Sequence, residues 1–283
     1  MKNLKNKVAV ITGAGSGIGR SLALKLQKKG VKLALNDFNE STLDETIKLI
    51  GLKEEVYKEV FDVSNKDRFY QFANNCNKHF GRIDIMINNA GITNGNFSAS
   101  EITLQTYRKV LGVNLWGMIY GTLAFLPILR EQEESSLVNL SSIMGILGTP
   151  YQSVYSTSKF AIRGFSEAIA VEELCHKTGV TVTSVHPGGI KTNIVRNIEG
   201  STLSEDQLKK SDAHFPTTAD KAADKIIAAI QKKKTRVIIG PDAKFMYFLS
   251  RFSHKLSLKF LEKWAKKLRR MSGDKNRSPN KQS

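Results

Sequence analysis

Seven short strand-like runs, spaced by helix-length segments, constrain this chain more than any other feature. They are Val8–Ile11, Val31–Leu35, Val56–Phe61, Ile83–Ile87, Leu137–Leu140, Val180–Val185 and Val237–Ile239. Short runs that show little polar alternation belong in a sheet covered on both faces, as parallel sheets are. Between them lie helical patterns: Ile18–Lys29 stopped by Gly30, a segment from Ser41 to about Ile50, Lys66–Phe80, a long region Thr103–Leu129, a helix around Tyr155, and Thr218–Gln231. Ser41 reads as the cap of the second helix, with Asp44 at its capping-box position. The alternation predicts an α/β fold: a doubly wound, parallel, seven-stranded sheet with helices on both faces and right-handed crossovers.

The first strand runs into Thr12-Gly13-Ala14-Gly15-Ser16-Gly17-Ile18-Gly19, where the first helix begins. Glycines there let backbone amides approach a pyrophosphate, and the helix start supplies unpaired N–H groups with a partial positive charge. A plain turn rarely needs so many glycines, so the loop is read as a dinucleotide cradle of Rossmann type. Asp37, closing the second strand, suits the adenosine ribose hydroxyls and would repel a 2′-phosphate. Arg20 and Lys32 are near in sequence, but neither Ser16 nor Phe38 supplies positive charge. NAD is therefore the expected cofactor, with NADP the alternative.

Tyr155 and Lys159 are four residues apart on a helical pattern, one turn above the other on the same face. A tyrosine titrates near 10, and a positive charge beside it favours the phenolate, bringing a general acid/base toward working pH. Ser142 could hold and polarise a carbonyl oxygen. Alone, such a pair is usually a solvated helix face; the cofactor cradle is what gives it meaning.

The ordered set of motifs resembles the single-domain branch of the short-chain dehydrogenase/reductases. It comprises the glycine loop, Asp62-Val63, Asn88-Asn89-Ala90-Gly91, Asn114, Ser142, Tyr155, Lys159 and Pro187-Gly188-Gly189-Ile190-Lys191-Thr192, spread over about Lys5 to Gly240. The larger two-domain branch uses another glycine spacing. The resemblance implies that Asp62 and Val63 meet the adenine ring and that Asn88 to Gly91 border the cofactor. It also implies that Ile190 and Thr192 contact the nicotinamide carboxamide, and that Asn114 holds a water linking Lys159 to solvent. On this reading the catalytic residues are Asn114, Ser142, Tyr155 and Lys159. The cofactor would be held by Gly13, Gly15, Ser16, Gly17, Ile18, Gly19, Asp37, Asp62, Val63, Asn89, Ala90, Gly91, Tyr155, Lys159, Pro187, Gly188, Ile190 and Thr192. A homodimer or homotetramer is implied as well.

The expected activity is hydride transfer between a nicotinamide and a hydrophobic alcohol, ketone or aldehyde. Ile143, Met144, Ile146, Leu147, Tyr151, Ile198 and Phe215 make the pocket region apolar, though each could be ordinary core. A protein that keeps the fold as a silent nucleotide sensor or membrane-associated interaction partner is the alternative, since fold does not fix function.

Residues 1–243 form the expected catalytic domain, 244–271 a basic amphipathic extension and 272–283 a disordered tail. Of the formal charge of +17, most sits beyond Ala243, where twelve Lys and Arg face two Asp and Glu. Phe260, Leu261, Trp264, Leu268 and Met271 fall on one helical side, with Lys259, Lys263, Lys266, Lys267 and Arg270 largely opposite. Peripheral contact with an anionic membrane stands slightly ahead of packing over the substrate pocket or a neighbouring subunit. Nucleic acid is not expected, because no recognised module accompanies the charge. Met1 to Lys7 holds no apolar core for a secretory signal, and no later run is expected to approach a membrane span. Cys76 and Cys175 suggest no disulfide framework, so a cytoplasmic setting is expected. The five histidines show no metal-ligand spacing, and His186 reads as structural.

Overall fold

The computed structural model describes residues 1–51, 56–93, 95–191 and 215–271, with side chains described up to Lys266. Its strands are β1 Val8–Thr12, β2 Lys32–Asp37, β3 Val56–Val60, β4 Ile85–Asn88, β5 Ser135–Leu140, β6 Val180–Pro187, β7 Ile190–Lys191, β8 Thr217–Thr218 and β9 Arg236–Ile239. The main sheet has seven strands in the order β3-β2-β1-β4-β5-β6-β9, every pair parallel. A separate pair, β7 with β8, lies beyond it. The order reverses between β1 and β4, which opens a crevice at the carboxyl ends of those strands, where ligands of open α/β sheets bind.

Helices α1 Gly17–Gln27, α2 Glu40–Ile50, α3 Lys66–Phe80, α4 Leu104–Leu111, α5 Gly117–Arg130, α6 Ser153–Cys175 and α7 Ala219–Gln231 cover both faces. Successive strand residues point to opposite sides. Ala9, Ile11, Leu33 and Leu35 pack under Leu22, Leu26, Ile226 and Ile230, while Val8, Val10 and Ala34 meet Phe69, Phe72 and Phe125 on the other side. Two apolar layers on one sheet are why the strands read as nearly unbroken hydrophobic runs.

Three expectations change. Asn39, not Ser41, caps α2: it is extended, its side chain accepts from the Thr42 amide, and Ser41 already lies within the helix. The long region after β4 is not one regular helix, because a π-helical turn, Gly112–Trp116, separates α4 from α5. The whole of Leu104–Arg130 is also long and apolar enough to cross a membrane by length and composition. It packs against the sheet instead through one side, with Met118, Phe125, Leu126 and Leu129 buried.

Candidate active site

Gly13 and Gly17 both adopt positive φ, which folds the loop after β1 so that α1 begins directly above the crevice. Ser16, at the α1 N-cap, makes no side-chain cap bond, and the first turn carries no acid. The first-turn amides thus face the crevice as donors for an anion, so this end of the site fits a dinucleotide pyrophosphate. Thr12 ties the loop to the β4 exit: its hydroxyl accepts from the amides of Asn89 and Ala90, and the Asn89 side chain donates back to the carbonyls of Thr12 and Gly13.

Asp37 is buried at the end of β2, where its two oxygens accept from the Gly15 amide at 2.8 Å and the Asn39 amide at 3.0 Å. A carboxylate has about four acceptor positions, so both oxygens retain capacity for ribose hydroxyls. The Arg20 guanidinium is committed beneath the loop, to the Gly15 carbonyl, Thr46 and Glu45. Asp62 is exposed and its carboxylate accepts from the Ser64 amide, whereas Val63 is buried against α5 at Gly117.

At the end of β5, Ser142 accepts from the Met144 amide at 3.1 Å and sits 3.5 Å from the Pro187 carbonyl. Tyr155, carried in on α6, brings its hydroxyl toward the Ser142 side chain. One turn on, the Lys159 ammonium donates to the Leu140 carbonyl at 2.9 Å and lies 5.3 Å from the centroid of the Tyr155 ring. Asn114 is fully buried in the π-helical turn, bonded to both the amide and the carbonyl of Ile92 and to Ser158. Gly91 lies between Asn114 and Lys159: a Cβ there would stand 3.3 Å from the Asn114 Oδ1 and 3.5 Å from the Lys159 Nζ.

The expected lowering of the Tyr155 pKa by Lys159 is not seen in this geometry. Burial pushes the phenol up to about 12, with the Ser142 side chain pulling the other way. Burial likewise pushes Lys159 down to about 8. The ammonium faces a carbonyl and the ring rather than the phenol oxygen, so desolvation outweighs charge pairing.

Residues 7–202 match the short chain dehydrogenase family. The chain belongs to that family. SadH of Mycobacterium tuberculosis, named as an oxidoreductase, is 39% identical over 259 residues, covering 89% of this chain and 92% of its own. A short chain dehydrogenase/reductase from Burkholderia phymatum, solved in complex with NAD, is similar with TM-score 0.81 and 28% identity, over 92% of this chain and 97% of that one. Levodione reductase is similar at TM-score 0.76 and 28% identity, over 88% of this chain and 99% of its own.

Within this family member, Pro187 ends β6 and Gly188 and Ile190 follow it beside the Ser142 loop, while Thr192 and Ile198 lie outside the described residues. Three further residues complete the site. Ser158 links Asn114 to the Tyr155 carbonyl. His186 donates from Nδ1 to the Ser142 carbonyl at 3.0 Å and accepts from Ser184, while burial pushes its pKa down to about 4 and keeps it neutral. Asp242 accepts from the Gly189 amide at 2.7 Å, and a side chain at Gly188 would collide with it. Ser158 and Asp242 could have been suspected only as polar residues beside a motif and after the Gly240-Pro241 break.

Proposed function

We propose that this protein is an NAD-dependent oxidoreductase acting on a hydrophobic secondary alcohol or ketone, or on a long-chain alcohol or aldehyde, with Tyr155 as general acid/base. The observation that carries the reading is the convergence of Ser142, Tyr155 and Lys159, the ammonium 5.3 Å from the centre of the Tyr155 ring, beside a glycine loop that leaves its helix start uncapped. Bound nicotinamide supplies or accepts the hydride. Ser142 holds the substrate oxygen, and Tyr155 exchanges a proton with that oxygen. Lys159 provides positive charge beneath the phenol and a donor for the nicotinamide ribose. Asn114 fixes the Ile92 backbone next to Lys159, a route for protons to solvent through bound water. Burial keeps the phenol neutral at ordinary pH, so Tyr155 holds the proton it exchanges.

Asp37 supports NAD over NADP, since a 2′-phosphate would meet a buried carboxylate while Arg20 is held elsewhere. The NAD bound to the Burkholderia phymatum relative agrees with this. An apolar substrate is suggested by a cavity of about 600 Å³ lined by Pro150, Tyr151, Leu258, Leu261 and Ala265, which adjoins α6 at Ser153 and Ser156 although Ser142, Tyr155 and Lys159 do not line it. Apolar stripes along the π-helical turn and α5 (Trp116, Tyr120, Leu123) and on α6 (Phe160, Val171, Leu174) support a homo-oligomer joined through these helices. The free thiols Cys76 and Cys175 support a reducing, cytoplasmic setting. The silent-sensor alternative finds no support in a site whose four chemical positions are all filled.

The test is Tyr155→Phe, assayed by NADH absorbance across a panel of alcohols and ketones and by NADH fluorescence titration. Turnover should fall by about 10²–10⁴-fold while NADH binding stays near wild type. Unchanged turnover would refute the assignment, and faster reaction with NADP would refute the cofactor choice.

A further inference from the structure

After β9 the chain forms two more helices, α8 Pro241–Phe252 and α9 His254–Met271. Each is fastened by one narrow face. Ala243 of α8 is buried, and so are Ser257, Leu261 and Ala265, one turn apart on α9. A different face carries large apolar side chains in water. Phe248 is 67% exposed and Phe252 73%, their rings stacked 6.2 Å apart. Phe245 joins the two helices through an edge-on contact with Phe260 at 5.5 Å. Leu256 and Trp264 extend the stripe one turn either side of Phe260. Isolated exposed apolar residues mean little, but a contiguous aromatic patch marks a contact surface.

The rim of this patch is cationic. Lys244 and Arg251 flank the α8 phenylalanines, and Lys259 and Lys263 flank the α9 stripe. Between Lys244 and Met271 the only acid is Glu262, which pairs with Lys266. A second copy would bring like charges together, so the occupant must be anionic and apolar at once. We propose that α8 and α9 form a docking surface for an anionic lipid bilayer, inserting Phe245, Phe248, Phe252, Phe260 and Trp264 among the lipid headgroups while the basic rim meets their charge. This goes beyond the oxidoreductase reading and stands without it. The inner face of α9 lines the cavity with the segment Gly148–Tyr151, so docking places α9 between that cavity and the lipid surface.

The test is sedimentation of the full-length protein with vesicles of phosphatidylcholine and phosphatidylglycerol, against pure phosphatidylcholine, at low and high salt. Binding should require the anionic lipid and weaken with salt. The double variant Lys259→Gln/Lys263→Gln should weaken binding about fivefold per charge removed. Phe248→Ser/Phe252→Ser should weaken it by about tenfold or more while keeping turnover and circular dichroism. Absence of wild-type binding to anionic vesicles, or undiminished binding by the phenylalanine variant, would overturn the proposal. So would a change of oligomeric state in that variant with no vesicle binding by the wild type, which would assign the patch to a second copy.

Discussion

Lys159 is only 4% exposed, and its single hydrogen bond among the described residues is to a carbonyl. An ammonium buried without a carboxylate partner is strained toward its neutral form. The unfolded lysine titrates near its ordinary 10.5, the folded one near 8. Between these values the unfolded chain binds the extra proton, so stability rises with pH across that window by up to about 1.4 kcal/mol per unit from this group alone. Tyr155 acts oppositely above pH 10, where the unfolded phenol ionises first. Urea midpoints of wild type and Lys159→Met at pH 7.5 and pH 9.5 should therefore diverge in favour of wild type at the higher pH. Parallel midpoints would show that the ammonium is not strained. Gly19 makes a second prediction at this scale: a Cβ there would stand 2.1 Å from the Gly13 carbonyl oxygen, which is backbone and cannot swing aside. Gly19→Ala should raise the KM for NAD by about tenfold or more through the displaced loop, with little change in the KM for substrate.

At the scale of elements, α5 crosses β4 at Gly121, where a Cβ would meet Asn88 Oδ1 at 2.1 Å and Phe69 Cζ at 2.7 Å. Gly121→Ala should cost about 1–3 kcal/mol by overpacking, read as a lowered urea midpoint, despite alanine's better helix propensity. A stabilised variant would mean that the two elements slide apart freely. The strands were legible in the sequence because the central ones, β1, β2, β4, β5 and β6, bury both faces and so show runs that need no partner to be recognised. The glycine loop, Ser142, Tyr155 and Lys159 were legible because local spacing sets their geometry. The π-helical turn was not, since the irregularity at Asn114 answers the Ile92 backbone, 22 residues away. The α2 cap was misplaced for a similar reason. Asn39 and Ser41 can both cap, and Asp37 decides between them by holding the Asn39 amide. Asp242 was invisible because its partner, Gly189, lies 53 residues upstream.

For the whole molecule, the family match ends at residue 202, yet the chain after Gly240 packs back onto the domain, at the loop after β6 and at the segment Gly148–Tyr151. Asp242 braces the loop after β6, and α9 closes one side of the cavity through Leu258, Leu261 and Ala265. On the proposed function that cavity takes the apolar end of the substrate, and the C-terminal helices then link the basic surface to it. Leu261, 2% exposed, is the pin in that link. Leu261→Asp would place an unpaired carboxylate in an apolar seat, which costs enough to release the helix. The KM for hydrophobic substrates should then rise by about tenfold, following the loss of about 1–3 kcal/mol of apolar contact, while the KM for NAD holds steady. Trypsin should also cut sooner at Lys259 and Lys263 as the helix comes free. Leu261→Ala, a gentler truncation, should shift both readouts in the same direction by less. If the two variants bind hydrophobic substrates as wild type does while α9 becomes protease-sensitive, α9 is a passenger and the pocket is closed by other residues.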